Sequence, residues 1–239
     1  MSRLTGMIVV APMFAGFSLP LEILVVLLLA LSYVTLPMVN TMVPLTLPIS
    51  TLVASLLFNF FVGFLLGLMA YTIVSAVYIG SEVFGIQSGF NVSGSLDPTM
   101  EESPITSEFV YLISVYVFIS LKGHLLIYES VIKSIQRFPL VITDLPFEKI
   151  HNQYFALFVD TFLFSLQIAL PIIGLMFLVN VLFGLLSRLV PQMNVFMVAM
   201  PASTIIMFFI LVGMIPLWIE LISKMIEKLG PYIDKFLGL

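Results

Sequence analysis

The sequence predicts an all-α integral membrane protein, and two observations carry this prediction. Hydrophobic residues make up 61% of the 239 residues, charged residues make up 9%, and the mean hydropathy is +1.19. A soluble domain carries about 25% charged residues, so this chain falls outside that class. In addition, residues 49–80 contain no charged side chain, and this run exceeds the roughly 20 residues that cross a bilayer as a helix. Lipid or the apolar flanks of partner subunits must therefore cover its surface.

About six hydrophobic segments follow one another along the chain. They are residues 4–19, 23–33, 49–80, 109–121, 154–187 and 195–218. We expect only three of them to be long enough to span the bilayer. Residues 4–19 predict a short first membrane segment, and Pro37, Pro44 and Pro48 predict a bent linker after the second segment. Segments so unequal in length are typical of kinked hairpins and broken helices.

We predict a single membrane domain over residues 1–239 that contains three more polar regions. These are an acidic loop at residues 90–108, a polar connection at 133–152 and an amphipathic C-terminal tail at 220–239. The acidic loop contains Asp97, Glu101, Glu102 and Glu108 and no basic residue, so its formal charge equals the −4 of the whole chain. Such a loop is ordinarily a solvated connection, but its length is above the usual range, and a constriction or plug is a second interpretation. The tail predicts an interfacial helix that is broken at Gly230-Pro231.

Two pairs of glycines are spaced four residues apart, Gly63 with Gly67 and Gly85 with Gly89. Small residues at this spacing lie on one face of a helix and let a second backbone approach closely. We therefore predict helix packing at these four positions, either within the chain or with another subunit.

Asp160 and Gln167 share one face of an apolar helix, and two interpretations of Asp160 remain open. A carboxylate within such a run is costly in lipid, which would indicate a proton or ion relay. Alternatively, Asp160 lies near the end of its run and reaches the interface, which its distance of six residues from Tyr154 favours.

Met193, Met197 and Met200 form a helical stripe that predicts core packing, or a flexible seal around a conduit.

The sequence offers no constellation for catalysis, for a metal or for a cofactor. Cysteine is absent, and the two histidines, His124 and His151, both border polar loops. The pair Glu101-Glu102 lacks the partner residues that intramembrane hydrolysis needs. No basic cluster suits nucleic acid. A secondary transporter for a small solute is the alternative, but it predicts internal repeats and polar residues at mid-membrane, and we find no convincing repeat.

Three stretches of the sequence resemble a known family. They are residues 85–90 with the following Leu96-Asp97-Pro98, residues 123–126, and residues 185–196, which end in Pro191-Gln192-Met193-Asn194-Val195-Phe196. In this order they resemble FliR, the R subunit of the flagellar type III export gate, whose injectisome counterpart is the T subunit. The last stretch favours the flagellar branch. Members of the family carry several more residues before the position of Arg3, so the first helix is expected to be shortened or to start upstream.

The resemblance implies a function that composition does not. Family members are non-enzymatic, single-copy subunits of a gate built with several copies of the P and Q subunits, and the B switch protein and the A subunit belong to the same apparatus. The gate passes unfolded flagellar proteins across the bacterial inner membrane at the flagellar basal body, and part of the assembly rises toward the periplasm. The implied fold resembles a P subunit fused to a Q subunit.

The resemblance also implies roles for particular residues. The loop after Phe90 matches the segment that plugs the family's pore, with the candidate plug residues Ser93, Gly94, Leu96, Asp97, Pro98, Met100, Glu101, Glu102 and Pro104. Gly85 and Gly89 would allow close packing at the root of this loop. The turn between the last two long helices would contact neighbouring subunits through Pro191, Gln192, Met193, Asn194 and Phe196.

Overall fold

A computed structural model describes residues 1–15, 20–39, 48–87, 105–138, 140–141, 147–190 and 195–238. These residues form α-helices and one 3-10 turn, and no β-strand occurs among them. The helices are α1 (Ser2–Val10), α2 (Pro12–Ala15), α3 (Leu21–Thr35, followed by the 3-10 turn Leu36–Met38), α4 (Ile49–Gln87), α5 (Ile105–Ser120), α6 (Gly123–Arg137), α7 (Phe147–Leu189) and α8 (Val195–Leu237). The predicted all-α membrane fold is confirmed.

The described residues contain more candidate membrane spans than the three segments that we expected to be long enough. Four helical stretches among the described residues are long and apolar enough to cross a bilayer, namely Leu21–Met38, Ile49–Gly85, His151–Leu189 and Met197–Leu237. A fifth is reached only if α5 and α6 together count as one bent span. The predicted first membrane segment is not among them, because it splits into α1 and α2. The split occurs at Ala11, which is extended (φ −57°, ψ 131°) because Pro12 disfavours the helical conformation in the residue before it.

The last two helices continue through their prolines. Helix α7 contains Pro171, and α8 runs without interruption through Pro201, Pro216 and Pro231. The predicted break at Gly230-Pro231 is therefore wrong. A proline inside a helix removes one backbone hydrogen bond, but here the residues on either side of it are buried, Leu229 and Ile233 at 0% and 1% exposure. Their packing offsets the lost bond and keeps the tail helical.

The junction between α5 and α6 depends on two adjacent residues with different constraints. Lys122 adopts a left-handed conformation with φ 58°, which costs a non-glycine residue about 1 kcal/mol. Glycine is needed one position later, because a Cβ at Gly123 would overlap the ring of Phe118. The turn therefore combines a lysine in a strained backbone conformation with a glycine that leaves room for the Phe118 ring.

The chain divides into two compact units, and the first contains Met1–Ile73, Phe118–Val159 and Met225–Leu239. Its core includes Leu66 and Met69 of α4, Val131 of α6 and Leu229 of α8, all at 0% exposure. The C-terminal tail packs within this unit, where the Arg137 Nε donates to the Leu237 carbonyl at 3.2 Å. The rings of Phe138 and Tyr154 also contact Phe236.

The second unit contains Val74–Val117 and Asp160–Lys224. Its core is aromatic at one position, where Phe84 and Trp218 stack with ring centroids 5.7 Å apart and are both fully buried. Tyr78 and Tyr111 meet edge to face at 6.1 Å. Ile168, Ile172 and Met176 of α7 are also fully buried, so one face of α7 is core while its other faces are exposed.

Candidate functional site

Helix α1 lies directly against α4 at the glycines of the first pair. A Cβ at Gly63 would overlap the carbonyl oxygen of Arg3, and one at Gly67 would lie 2.7 Å from the carbonyl oxygen of Met7. On the facing helix, a Cβ at Gly6 would overlap the carbonyl oxygen of Phe60. Backbones approach this closely only where side chains are absent. The first glycine pair therefore contacts a helix of the same chain, and the two helices run in the same direction.

A buried polar cluster also joins these two helices, and no sequence pattern predicted it. Arg3 is only 3% exposed, and its Nε donates to Asn59 Oδ1 at 2.6 Å. Its terminal nitrogens donate to Ser134 Oγ at 3.1 Å and to the Phe138 carbonyl at 2.8 Å. Asn59 Nδ2 donates in turn to the Leu140 carbonyl at 2.8 Å. The cluster thus joins α1, α4, α6 and the residues after α6.

Burial lowers the pKa of the Arg3 guanidinium to about 10, so the side chain still carries its charge at neutral pH. A buried charge is tolerated when it is fully hydrogen-bonded. The sequence contains a weak signal for this cluster. Asn59 is a strongly polar amide within the uncharged run of residues 49–80, and Arg3 directly precedes the apolar segment of residues 4–19.

A continuous row of exposed leucines follows one side of α7. We call it the leucine stripe, and it consists of Leu175, Leu178, Leu182, Leu185 and Leu189, which are 40% to 77% exposed. Their alternating spacing of three and four residues is the pattern that a second helix fits in a left-handed packing. In lipid, apolar side chains gain little by meeting one another, so such a stripe either contacts lipid or receives a partner helix.

Helix α8 is exposed in its first half as well. Met197 and Met200 are 76% and 36% exposed, so the interpretation of the methionine stripe as core packing is wrong for these two residues within this chain. Large exposed side chains farther along include Ile205, Phe208, Phe209 and Val212. The many exposed apolar side chains of α7 and α8 indicate that these two helices contact lipid or other proteins.

Comparison with known proteins identifies the family. The sequence profile described as bacterial export proteins, family 1, matches residues 1–229. The chain belongs to this family. The resemblance to FliR that the three motifs predict is thereby confirmed.

Several curated relatives of this export protein family carry the name flagellar biosynthetic protein FliR. The protein from Bacillus subtilis is 31% identical over 63% of this chain and 60% of its own length. The protein from Aquifex aeolicus is 28% identical over 90% of this chain and 83% of its own length. The protein from Escherichia coli is 25% identical over 65% of this chain and 60% of its own length. The chain thus aligns with less than two thirds of the Bacillus subtilis and Escherichia coli relatives.

Most residues for which the FliR family resemblance predicts a role lie outside the described residues. This applies to the whole candidate plug, Ser93, Gly94, Leu96, Asp97, Pro98, Met100, Glu101, Glu102 and Pro104, and to Gly89. It also applies to the candidate subunit contacts Pro191, Gln192, Met193 and Asn194, and to the side chain of Phe196. Gly85 is described and buried. The roles of these residues remain predictions.

Asp160 lies well inside α7, roughly three and a half turns after the helix begins at Phe147. Its side chain is partly buried and Gln167 is exposed. Both interpretations of Asp160 therefore stay open. Among the described residues, no group of three or more histidine and acidic side chains could hold a metal ion.

Proposed function

We propose that this chain is a non-enzymatic subunit of the flagellar type III protein export gate. The match of the export protein family to residues 1–229 carries this proposal. The names of the relatives from Bacillus subtilis and Aquifex aeolicus, which both refer to flagellar biosynthesis, support the flagellar assignment. The subunit would lie in the bacterial inner membrane at the flagellar basal body, with part of the assembly displaced toward the periplasm.

The gate would consist of one copy of this chain and several copies of the P and Q subunits, with the B switch protein and the A subunit in the same apparatus. Its substrates would be unfolded flagellar proteins that cross the membrane. The exposed apolar surfaces support a hetero-oligomer, because only 22% of the span in α7 and 22% of the span in α8 are buried within the chain. No observation favours a solute transporter.

Two measurements in the native bacterium test the assignment. Deleting the gene should abolish secretion of hook and filament proteins, and the wild-type chain supplied in trans should restore it. An affinity-tagged chain should purify from the membrane together with the P and Q subunits. A deletion strain that still secretes filament protein would overturn the proposal, as would a chain that purifies as a stable homo-oligomer and transports a small solute.

We further propose that residues 93–107 hold the channel shut while no substrate is threaded. The helices on either side of this segment support the idea, because Phe84 near the end of α4 and Val110 of α5 are both fully buried. Both helices are therefore anchored in the interior of the second unit at these positions. The segment contains three carboxylates, Asp97, Glu101 and Glu102, which would be costly in lipid and suit a watery channel instead.

Deletion of residues 94–104 in the assembled gate tests the plug. Cells that carry the variant should become permeable to small ions and solutes while the gate still assembles with its P and Q subunits. The control replaces the same residues with a glycine and serine sequence of equal length, which separates the loss of specific side chains from a shortened connection. Wild-type permeability in an assembled deletion variant would contradict the plug.

A further inference from the structure

The first unit contains a cavity of about 700 Å³ that the export function does not explain. It lies between α1, α3, α4 and the residues around the end of α6. Its apolar walls include Leu4, Leu29, Leu36, Leu52, Leu56 and Ile135. Cavities of this size with mostly apolar walls and a few polar groups are typical of binding sites for small molecules.

Among the described residues, one side of the cavity is open. Leu29 of α3, Leu36 of the following 3-10 turn, and Leu52 and Leu56 of α4 line it, yet they remain 45% to 64% exposed. Both helices are candidate membrane spans, and only 11% of the span in α3 is buried within the chain. The opening is thus bordered by apolar surface of two spans, and a molecule that enters comes from the apolar phase around them.

The inner wall of the cavity is polar. Its residues are Arg3, Ser32, Thr35, Ser55 and Asn59, each 3% to 8% exposed. The side chains of three of these residues donate hydrogen bonds to backbone carbonyls. Thr35 Oγ1 donates to the Ser32 carbonyl, Ser55 Oγ donates to the Thr51 carbonyl, and Asn59 Nδ2 donates to the Ser55 carbonyl. Arg3 belongs to the buried polar cluster described above.

Ser32 differs from these neighbours. Its hydroxyl is buried and has no hydrogen-bond partner within the part of the chain that the structure describes. Leaving a buried hydroxyl unsatisfied costs about 1–3 kcal/mol, so an acceptor from a bound molecule would remove a real penalty. Ser32 is less than two helical turns from the end of its span at Met38. The required acceptor therefore belongs close to the edge of the hydrocarbon layer.

We propose that this cavity binds a membrane phospholipid, with one acyl chain against the apolar walls and an ester carbonyl oxygen that accepts a hydrogen bond from Ser32 Oγ. Water alone does not suit the whole cavity, since the apolar walls around Leu4, Leu29 and Leu52 offer it no hydrogen-bond partner. A phospholipid supplies both required features, a long apolar chain and an acceptor near the hydrocarbon edge. It is also the apolar molecule that surrounds α3 and α4 in a membrane.

Photo-crosslinking of the full chain in lipid nanodiscs tests the proposal. The probe is phosphatidylcholine with a diazirine in one acyl chain, and crosslinked residues are identified by mass spectrometry. We expect crosslinks at Leu29, Leu36 and Leu56, also when the protein is transferred into detergent before irradiation. Crosslinks confined to Val26 and Val34, which are exposed on α3 outside the cavity, would show surface lipid only and overturn the proposal.

Replacing the serine provides a second, quantitative test. Ser32→Ala should reduce the phospholipid retained by the purified chain about fivefold, the loss expected for one hydrogen bond. The substitution should not destabilise the lipid-free protein, since it removes a hydroxyl without a partner. The matched control is Ser114→Ala, a buried serine of α5 whose hydroxyl donates to the Tyr111 carbonyl of its own helix. Equal retention by both variants would overturn the proposal, and so would a partner subunit's side chain that crosslinks inside the cavity of the assembled complex.

Discussion

Helix α4 and helices α7 and α8 are similarly apolar but differ in how the chain covers them. In α4, 50% of the candidate span is buried within the chain, against 22% in α7 and 22% in α8. Hydropathy indicates only that a helix avoids water. It does not indicate whether the same chain, lipid or another protein supplies its apolar surroundings. The burial of α4 and the exposure of α7 and α8 therefore distinguish an internal packing helix from helices whose partners lie outside the chain.

The glycines of these helices show the same difference. Gly63 of α4 is so close to α1 that a Cβ would overlap its backbone. Gly174 and Gly184 of α7 have no atom within 4 Å of a Cβ built on them, in the part of the chain that the structure describes. A helical glycine costs up to about 1 kcal/mol relative to alanine. In α4 close packing repays this cost inside the chain, whereas in α7 any such packing needs a partner.

The largest expected effect on the docking of α1 comes from adding one methyl group at Gly63. Gly63→Ala should lower the free energy of unfolding by about 3 kcal/mol, because α1 has to move away from α4. The measurement is SDS-induced unfolding of the purified chain in mixed micelles. The buried cluster around Arg3 should weaken with it, since Arg3 is the residue whose backbone the methyl group would meet.

Gly184→Ala is the matched control for this substitution. The same methyl group meets open space there, so the isolated chain should be unchanged or more stable by up to about 1 kcal/mol. Equal destabilisation by both substitutions would remove the distinction between α4 and α7. A Gly184→Ala chain that is stable alone but no longer assembles with the P and Q subunits would place a partner helix at that position.

The second expected effect concerns the polar cluster that ties α1 to α4. Arg3→Met should cost about 2 kcal/mol, because Asn59 Oδ1 and the Phe138 carbonyl each lose a donor. Asn59→Leu should cost a similar amount, because it leaves the Arg3 Nε–H without this acceptor. The double variant should cost less than the sum by at least about 1 kcal/mol, since the residues interact directly.

SDS-induced unfolding of the four proteins in this cycle gives the coupling energy. Lys228→Met is the control, because it also removes a positive charge but at an exposed position of α8. Strictly additive effects of Arg3→Met and Asn59→Leu would contradict a direct role of their hydrogen bond in docking α1.

The sequence predicts some of this organisation because the relevant physical rules are local. Glycine spacing identifies Gly63 and Gly67 as packing positions, whereas the single segment predicted over residues 4–19 is split at Ala11 by the following Pro12. The same local reasoning fails at Pro231, because packing of Leu229 and Ile233 outweighs the proline. It also misses the Arg3 cluster, because a hydrogen bond between residues 56 positions apart depends on the tertiary docking of two helices, which no local pattern encodes.

The smallest expected effect on the chain itself comes from the leucine stripe. Replacing Leu175, Leu178 and Leu182 with alanine should change the free energy of unfolding by less than about 1 kcal/mol, because these exposed side chains meet detergent or lipid in the isolated protein. Recovery of the P and Q subunits with the tagged chain should nevertheless fall. Co-purification followed by quantitative mass spectrometry measures that recovery.

Leu66→Ala separates the two kinds of effect. Leu66 of α4 is fully buried in the first unit, so its truncation should destabilise the isolated chain by about 2–5 kcal/mol and reduce assembly only as far as folding fails. If the triple alanine variant keeps both its stability and its partners, the stripe contacts lipid alone. If it keeps its stability and loses its partners, the apolar surface of α7 contacts another subunit, whereas the apolar surface of α4 packs within its own chain.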